Sequence, residues 1–145
     1  MSDGYVFDTE AIIAFLYNEP GHEAVADLLN EVFTDDADGF LTETNATEVF
    51  YLVARFEGID DTPTAASLRE ADRDIRALER QGLELEAADW RQAAELKADG
   101  NISLADAYAV ALAHKRDATL VAGGDDDFDE LPIGIDLYRF RDHGV

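Results

Sequence analysis

The chain has 145 residues, no cysteine, one tryptophan and a formal net charge of −22 at pH 7, from 33 acidic against 11 basic residues. That length suits one hydrophobic core, so a single domain over residues 1–145 is expected, and the missing cysteines exclude disulfides, thiolate zinc sites and cysteine nucleophiles. The start, Met1-Ser2-Asp3-Gly4-Tyr5, has neither a basic head nor an apolar stretch of signal length, and no apolar run, Ala107 to Ala113 included, is long enough for a bilayer, so a soluble cytoplasmic protein without a membrane role is expected.

Tyr5-Val6-Phe7 reads as a short apolar strand that runs into Asp8. Ile12, Ile13, Leu16 and Tyr17 then recur at helical spacing up to a stop at Pro20-Gly21. A second amphipathic helix carries Val25, Leu28, Leu29 and Val32, and the acidic turn Asp35-Asp36-Ala37-Asp38-Gly39 ends it. Phe40-Leu41-Thr42 is a brief strand, after which Val49, Leu52, Val53 and Phe56 form a helix stripe closed by Gly58. Thr64 to Arg80 is helical by composition, with Leu68, Ile75 and Leu78 as a thin apolar stripe and Gly82 at its boundary. Leu83-Glu84-Leu85 alternates like a strand, and Trp90, Ala93, Ala94 and Leu96 predict a helix that breaks at Asp99-Gly100-Asn101. A further helix starts at Ser103 and carries Leu104, Tyr108, Ala111 and Leu112. Thr119-Leu120-Val121-Ala122 has the composition of a buried strand, and Ile135 to Phe140 that of an edge strand. Strands separated by helices predict an α/β fold with a mostly parallel central sheet between helical layers.

Four acids, Asp8, Glu48, Asp106 and Asp125, stand at expected strand ends or helix starts. Asp8 ends a strand, where open α/β sheets bind ligands, or it caps the helix that follows. Asn45-Ala46-Thr47-Glu48 and Ser103-Leu104-Ala105-Asp106 both have the spacing of a capping box. An acid in a first turn gains from the helix dipole, and a carboxylate fixed in that way is equally a preorganised ligand. In Gly124-Asp125-Asp126-Asp127-Phe128, Asp125 and Asp127 could share one site while Asp126 faces water, or the run is an acidic surface turn. Gly123 and Gly124 before it allow a sharp turn and a close backbone approach to a ligand.

Taken together, Val6-Phe7-Asp8-Thr9, Asn45-Ala46-Thr47-Glu48-Val49, Ser103-Leu104-Ala105-Asp106-Ala107 and Gly124-Asp125-Asp126-Asp127-Phe128 follow the order and spacing of the PIN-domain ribonucleases. Over nearly its whole length the chain resembles the VapC-type toxins of prokaryotic toxin–antitoxin pairs. The resemblance implies a PIN-like three-layer α/β/α sandwich and a divalent-metal-dependent endoribonuclease that leaves a 5′-phosphate and a 3′-hydroxyl. Asp8, Glu48, Asp106 and Asp125 become the catalytic, metal-binding acids, Asp127 a fifth ligand, and Mg²⁺ or Mn²⁺ the cofactor. A homodimer is also implied, with a cognate antitoxin whose tail blocks the acidic cleft. Within the same class a housekeeping RNA-processing nuclease stays open. Two positions depart from the family pattern: Glu10 follows Thr9 where the family usually has Ser, and Gly123 stands where Thr often precedes the final Gly-Asp. Thr9 retains one hydroxyl for positioning water or phosphate.

The chemistry of such a site follows from its charge. Clustered carboxylates raise one another's pKa unless a cation compensates. Mg²⁺ prefers octahedral oxygen coordination and keeps waters, leaving places for a nucleophile and a phosphate oxygen. His22, His114 and His143 are assigned to the surface and are not needed.

An acidic chain ordinarily repels RNA, because phosphates are held by Lys and Arg. Only two lysines are present, Lys97 and Lys115, and this make-up resembles proteins of cells that keep molar salt inside. At ~1 M salt the Debye length is ~3 Å, so the net charge does not exclude an RNA substrate. Arg69, Arg73, Arg76 and Arg80 share one helical stripe, with Arg55 as an extension. They form either a solvated face or a phosphate-positioning rail. Two other function classes stay open at this point: a receiver- or phosphatase-like domain phosphorylated on Asp8, and a noncatalytic acidic binding module.

Overall fold

A computed structural model of the protein describes residues 4–123, 128 and 131–143. Five strands form one sheet: β1 (Gly4–Phe7), β2 (Asp38–Thr42), β3 (Glu84–Glu86), β4 (Thr119–Ala122) and β5 (Asp136–Arg139). Their order is β3-β2-β1-β4-β5, and every neighbouring pair is parallel. The helices are α1 (Thr9–Tyr17), α2 (His22–Phe33), α3 (Glu43–Phe56), α4 (Ala65–Arg80), α5 (Trp90–Asp99), α6 (Leu104–Arg116) and the short α7 (Phe140–His143).

Strand alternation sorts the core into two halves. Phe7, Leu41 and Val121 point to one face, where they pack with α1, α2, α3, α4 and Phe140. Val6, Phe40, Leu120 and Ala122 point to the other, against α5 and α6. A parallel sheet buried on both faces needs near-continuous apolar strands, and Val6, Phe7, Leu41, Leu120, Val121 and Ala122 are all fully buried. The result is the three-layer α/β/α sandwich. Among the described residues no helix is long and apolar enough to cross a membrane.

The order of strands creates the feature that matters for function. From β1 the chain builds outward through β2 and β3, then crosses back to add β4 and β5 on the far side of β1. The direction reverses between β1 and β4, and it is outside the carboxyl ends of the strands at such a reversal that doubly wound sheets form their ligand-binding crevice.

Several expected inward residues lie outside. Leu68 is exposed because the buried line of α4, which keeps the expected Ile75 and Leu78, runs through Ser67 and Ala71 in its first half. Ser67 can occupy that line because its hydroxyl is used: Thr64 and Ser67 form a reciprocal capping box, Ser67 N to Thr64 Oγ1 at 3.0 Å and Thr64 N to Ser67 Oγ at 2.8 Å. Trp90 and Leu104 begin their helices and project from the first turn, exposed. Phe56, in the last turn of α3, meets the edge of Tyr17 at 5.4 Å instead of entering the core. Phe140, expected to close the last strand, opens α7 and is fully buried.

Gly39 in β2 is set by contact with α2. A Cβ there would lie 2.6 Å from Val32 Cγ2 and 2.8 Å from Val32 Cγ1. Gly39→Ala is therefore expected to destabilise the chain by ~1–3 kcal/mol, the usual cost of overpacking. A lowered denaturant midpoint at unchanged slope is the measurement that checks it.

Candidate functional site

Asp8 is the first residue beyond β1, and its position is fixed from both sides of the crevice. Its backbone N–H donates to Val121 O of β4 at 3.0 Å. Its side chain caps α1, Oδ1 accepting from Ala11 N at 2.7 Å. The Gly123 backbone hydrogen-bonds the same carboxylate. Asp8 is only 2 % exposed, and burial pushes its pKa up to about 8, with the charges of Asp106 and Glu10 adding to the rise and the two backbone hydrogen bonds opposing it. Cap and candidate ligand are thus one residue.

Asp106 enters from the opposite helical layer. Ser103 caps α6, its Oγ accepting from Asp106 N at 3.1 Å, so the Ser103 half of the expected capping arrangement is present. The half-buried Asp106 lies near enough for its charge to act on Asp8.

Glu48 corrects the sequence reading. The N-cap of α3 is Thr42, not Asn45, and Glu48 lies a full turn inside the helix, half-buried, so the Asn45–Glu48 spacing is no capping box. Asn45 instead joins a buried polar relay. Thr42 Oγ1 accepts from Asn45 N at 2.9 Å and donates to Asn45 Oδ1, while Asn45 Nδ2 donates to Thr9 Oγ1 at 3.0 Å. The relay ties the carboxyl end of β2 to that of β1. It was missed because Asn before a helix reads as a cap. Its sequence signal is a polar residue one turn ahead of Val49 on the buried stripe.

Among the described residues, the charges that bear most on Asp8 are those of Asp106 and Glu10, not Glu48. Among the described residues no three His, Cys, Asp or Glu side chains are gathered to hold a metal ion. Asp125 and Asp127 lie outside the described residues. The donor set that is present nevertheless fits a hard divalent cation: a carboxylate discharged by burial beside a second carboxylate would be returned to its anionic form by such an ion.

The two departures from the family pattern meet in space. A Cβ on Gly123 would lie 1.9 Å from Glu10 Oε2. The Glu10 carboxylate occupies the volume that a side chain at position 123 would fill.

The arginines of α4 stand apart. Arg69, Arg73, Arg76 and Arg80 are exposed and line a surface groove with Phe50, Leu68 and Asp72. Arg76 Nε bonds both Asp72 oxygens at 3.1 Å, and Arg73 pairs with Glu70 at 3.9 Å. Arg55 pairs with Asp61 and lies 5.7 Å over the Tyr51 ring.

The PIN domain family model matches residues 5–134. Among solved structures, the VapBC2 complex of Rickettsia felis bound to a promoter DNA fragment aligns with a TM-score of 0.69 at 14% identity, covering 94% of this chain and 98% of that one. DNA-bound VapBC from Salmonella typhimurium aligns at 0.70 with 15% identity, covering 97% and 99%. FitAcB from Neisseria gonorrhoeae aligns at 0.59 with 16% identity, covering 94% and 97%. No curated protein matches the chain in sequence.

A carboxylate whose pKa is higher folded than unfolded holds its proton more tightly in the native state, so its contribution to stability is complete below the unfolded value and is lost as pH rises through the folded one. In metal-free protein, melting temperature should fall as pH rises between 3.8 and about 8. Saturating Mg²⁺ should recover the loss, and Asp8→Asn should flatten the slope; calorimetry across that range checks both.

Proposed function

The chain belongs to the PIN-domain family, and on that premise we propose that it is a divalent-metal-dependent endoribonuclease, the toxin of a toxin–antitoxin pair. PIN domains are generally nucleases. The observation that carries the reading is Asp8: a buried carboxylate at the strand-order reversal, with Asp106 acting on it and the Gly123 backbone bound to it two residues ahead of Asp125.

Asp8, Glu48, Asp106 and Asp125 would hold Mg²⁺ or Mn²⁺, with Asp127 as a further ligand. Once bound, the ion supplies an activated water and stabilises charge on the phosphate during in-line attack. The chain's own part is positioning. Two backbone hydrogen bonds aim Asp8, and Ser103, by capping α6, fixes the first turn that carries Asp106. Thr9 Oγ1 accepts from Asn45, which leaves its own O–H to donate to a water or a phosphate oxygen. The exposed α4 arginines are read as a second contact for RNA phosphates away from the acids.

The structural neighbours are VapBC and FitAB-type complexes of two proteins, which supports an antitoxin partner for this chain. A homodimer and a salt-adapted cytoplasm complete the reading, and assays therefore belong at molar salt.

Asp8→Asn and Asp106→Asn should each reduce cleavage of a structured RNA by ~10²-fold or more, the scale of losing several kcal/mol of metal-derived stabilisation. Circular dichroism should show both variants folded. Undiminished cutting by both, or by the wild-type chain in excess chelator, would overturn the assignment.

A further inference from the structure

Arg141 sits at the rim of the acid centre, and its surroundings hold it still. Nε donates to Pro20 O at 3.3 Å, and Nη2 pairs with Glu19 Oε1 at 3.7 Å. The guanidinium lies 4.9 Å over the ring of Phe140, itself fully buried against Gly21, where a Cβ would approach that ring to 2.7 Å. These contacts anchor α7 on the turn between α1 and α2.

The remaining contact points at the site. Nη1 donates to Glu10 Oε2 at 3.0 Å and would lie 2.9 Å from a Cβ on Gly123, the residue whose backbone binds the Asp8 carboxylate. Glu10 therefore fills a cradle that exists only because position 123 has no side chain. An anionic oxygen already fits there, beside Asp8 and against a guanidinium.

We propose that Arg141 is a phosphate-positioning residue: the cradle takes a phosphate oxygen of the nucleic-acid strand, and Glu10 holds the guanidinium in place until that oxygen displaces it. This rests on the nuclease reading. Three properties favour exchange. The Glu10 side chain is 54% exposed and free to swing toward solvent, whereas Arg141 is 32% exposed and fixed by backbone, ring and Glu19. Among the described residues only Nε and one N–H of Nη1 have hydrogen-bond acceptors, so the fork can grip a phosphate through two N–H groups. An arginine already ordered loses little further freedom on binding.

The test uses the full-length chain carrying Asp106→Asn to stop cleavage, with binding of a fluorescein-labelled single-stranded RNA followed by anisotropy over a salt series in which the fold is intact. Arg141→Gln should weaken binding about tenfold, the size of one charged hydrogen-bonded contact, and make the slope of log K against log salt shallower by ~0.7, one phosphate on a single strand. Arg141→Lys should keep the slope and regain part of the affinity. Should the glutamine variant fail to fold, the lysine variant decides: weakened affinity at wild-type slope supports the proposal, and wild-type affinity overturns it. A lowered melting temperature with affinity and slope unchanged would make Arg141 a structural latch and overturn the proposal while leaving the nuclease reading intact. A wild-type chain that neither binds nor cuts RNA would overturn both.

Discussion

A carboxylate buried at the end of the central strand sets the terms for everything around it. An ionised Asp8 could not be held there without partners, because desolvation of a charge costs several kcal/mol. The fold answers with backbone N–H groups from Ala11 and Gly123, drawn from two different strand ends. Those bonds orient the group yet leave its burial only partly compensated. The unmet demand for positive charge is the physical reason to read the crevice as a cation site.

The same demand explains why the surrounding polar residues are arranged so strictly. Asn45, Thr42 and Thr9 are buried, and each polar atom is paired; among the described residues no buried side-chain nitrogen or oxygen lacks a partner. A relay of this kind locks β1 to β2 just beneath the acids, so the strand ends cannot drift relative to one another. Ser103, by capping α6, does the same for Asp106 from the other layer.

Positive charge is scarce in this chain, and three of its arginines are each held by more than one kind of contact. Arg116 pairs with Glu86 and lies 5.0 Å over Phe40; Arg55 and Arg141 likewise combine an acid with a ring. Screening at high salt weakens exposed ion pairs. Stacking over an aromatic face adds dispersion and cation–π attraction to each pair.

Apolar periodicity, capping residues and turn glycines were enough to locate all five strands and the six longer helices, and to make the sheet parallel, because each of those signals is local: a stripe records which side of one element avoids water. Asp8 as a strand-end acid and Asp106 in a capped first turn were legible for the same reason. Local signals misled where one residue could serve two ends, as when Asn45 read as a cap although Thr42 holds that place, or where a capping hydroxyl let Ser67 displace Leu68 from the buried line. What the tertiary structure alone decided is proximity that no motif carried: that Glu10 fills the space beside Gly123, and that Arg141 returns from the last helix to meet it. Those neighbours follow from strand order and crossover direction, which depend on how whole elements pack and which no short stretch of residues encodes.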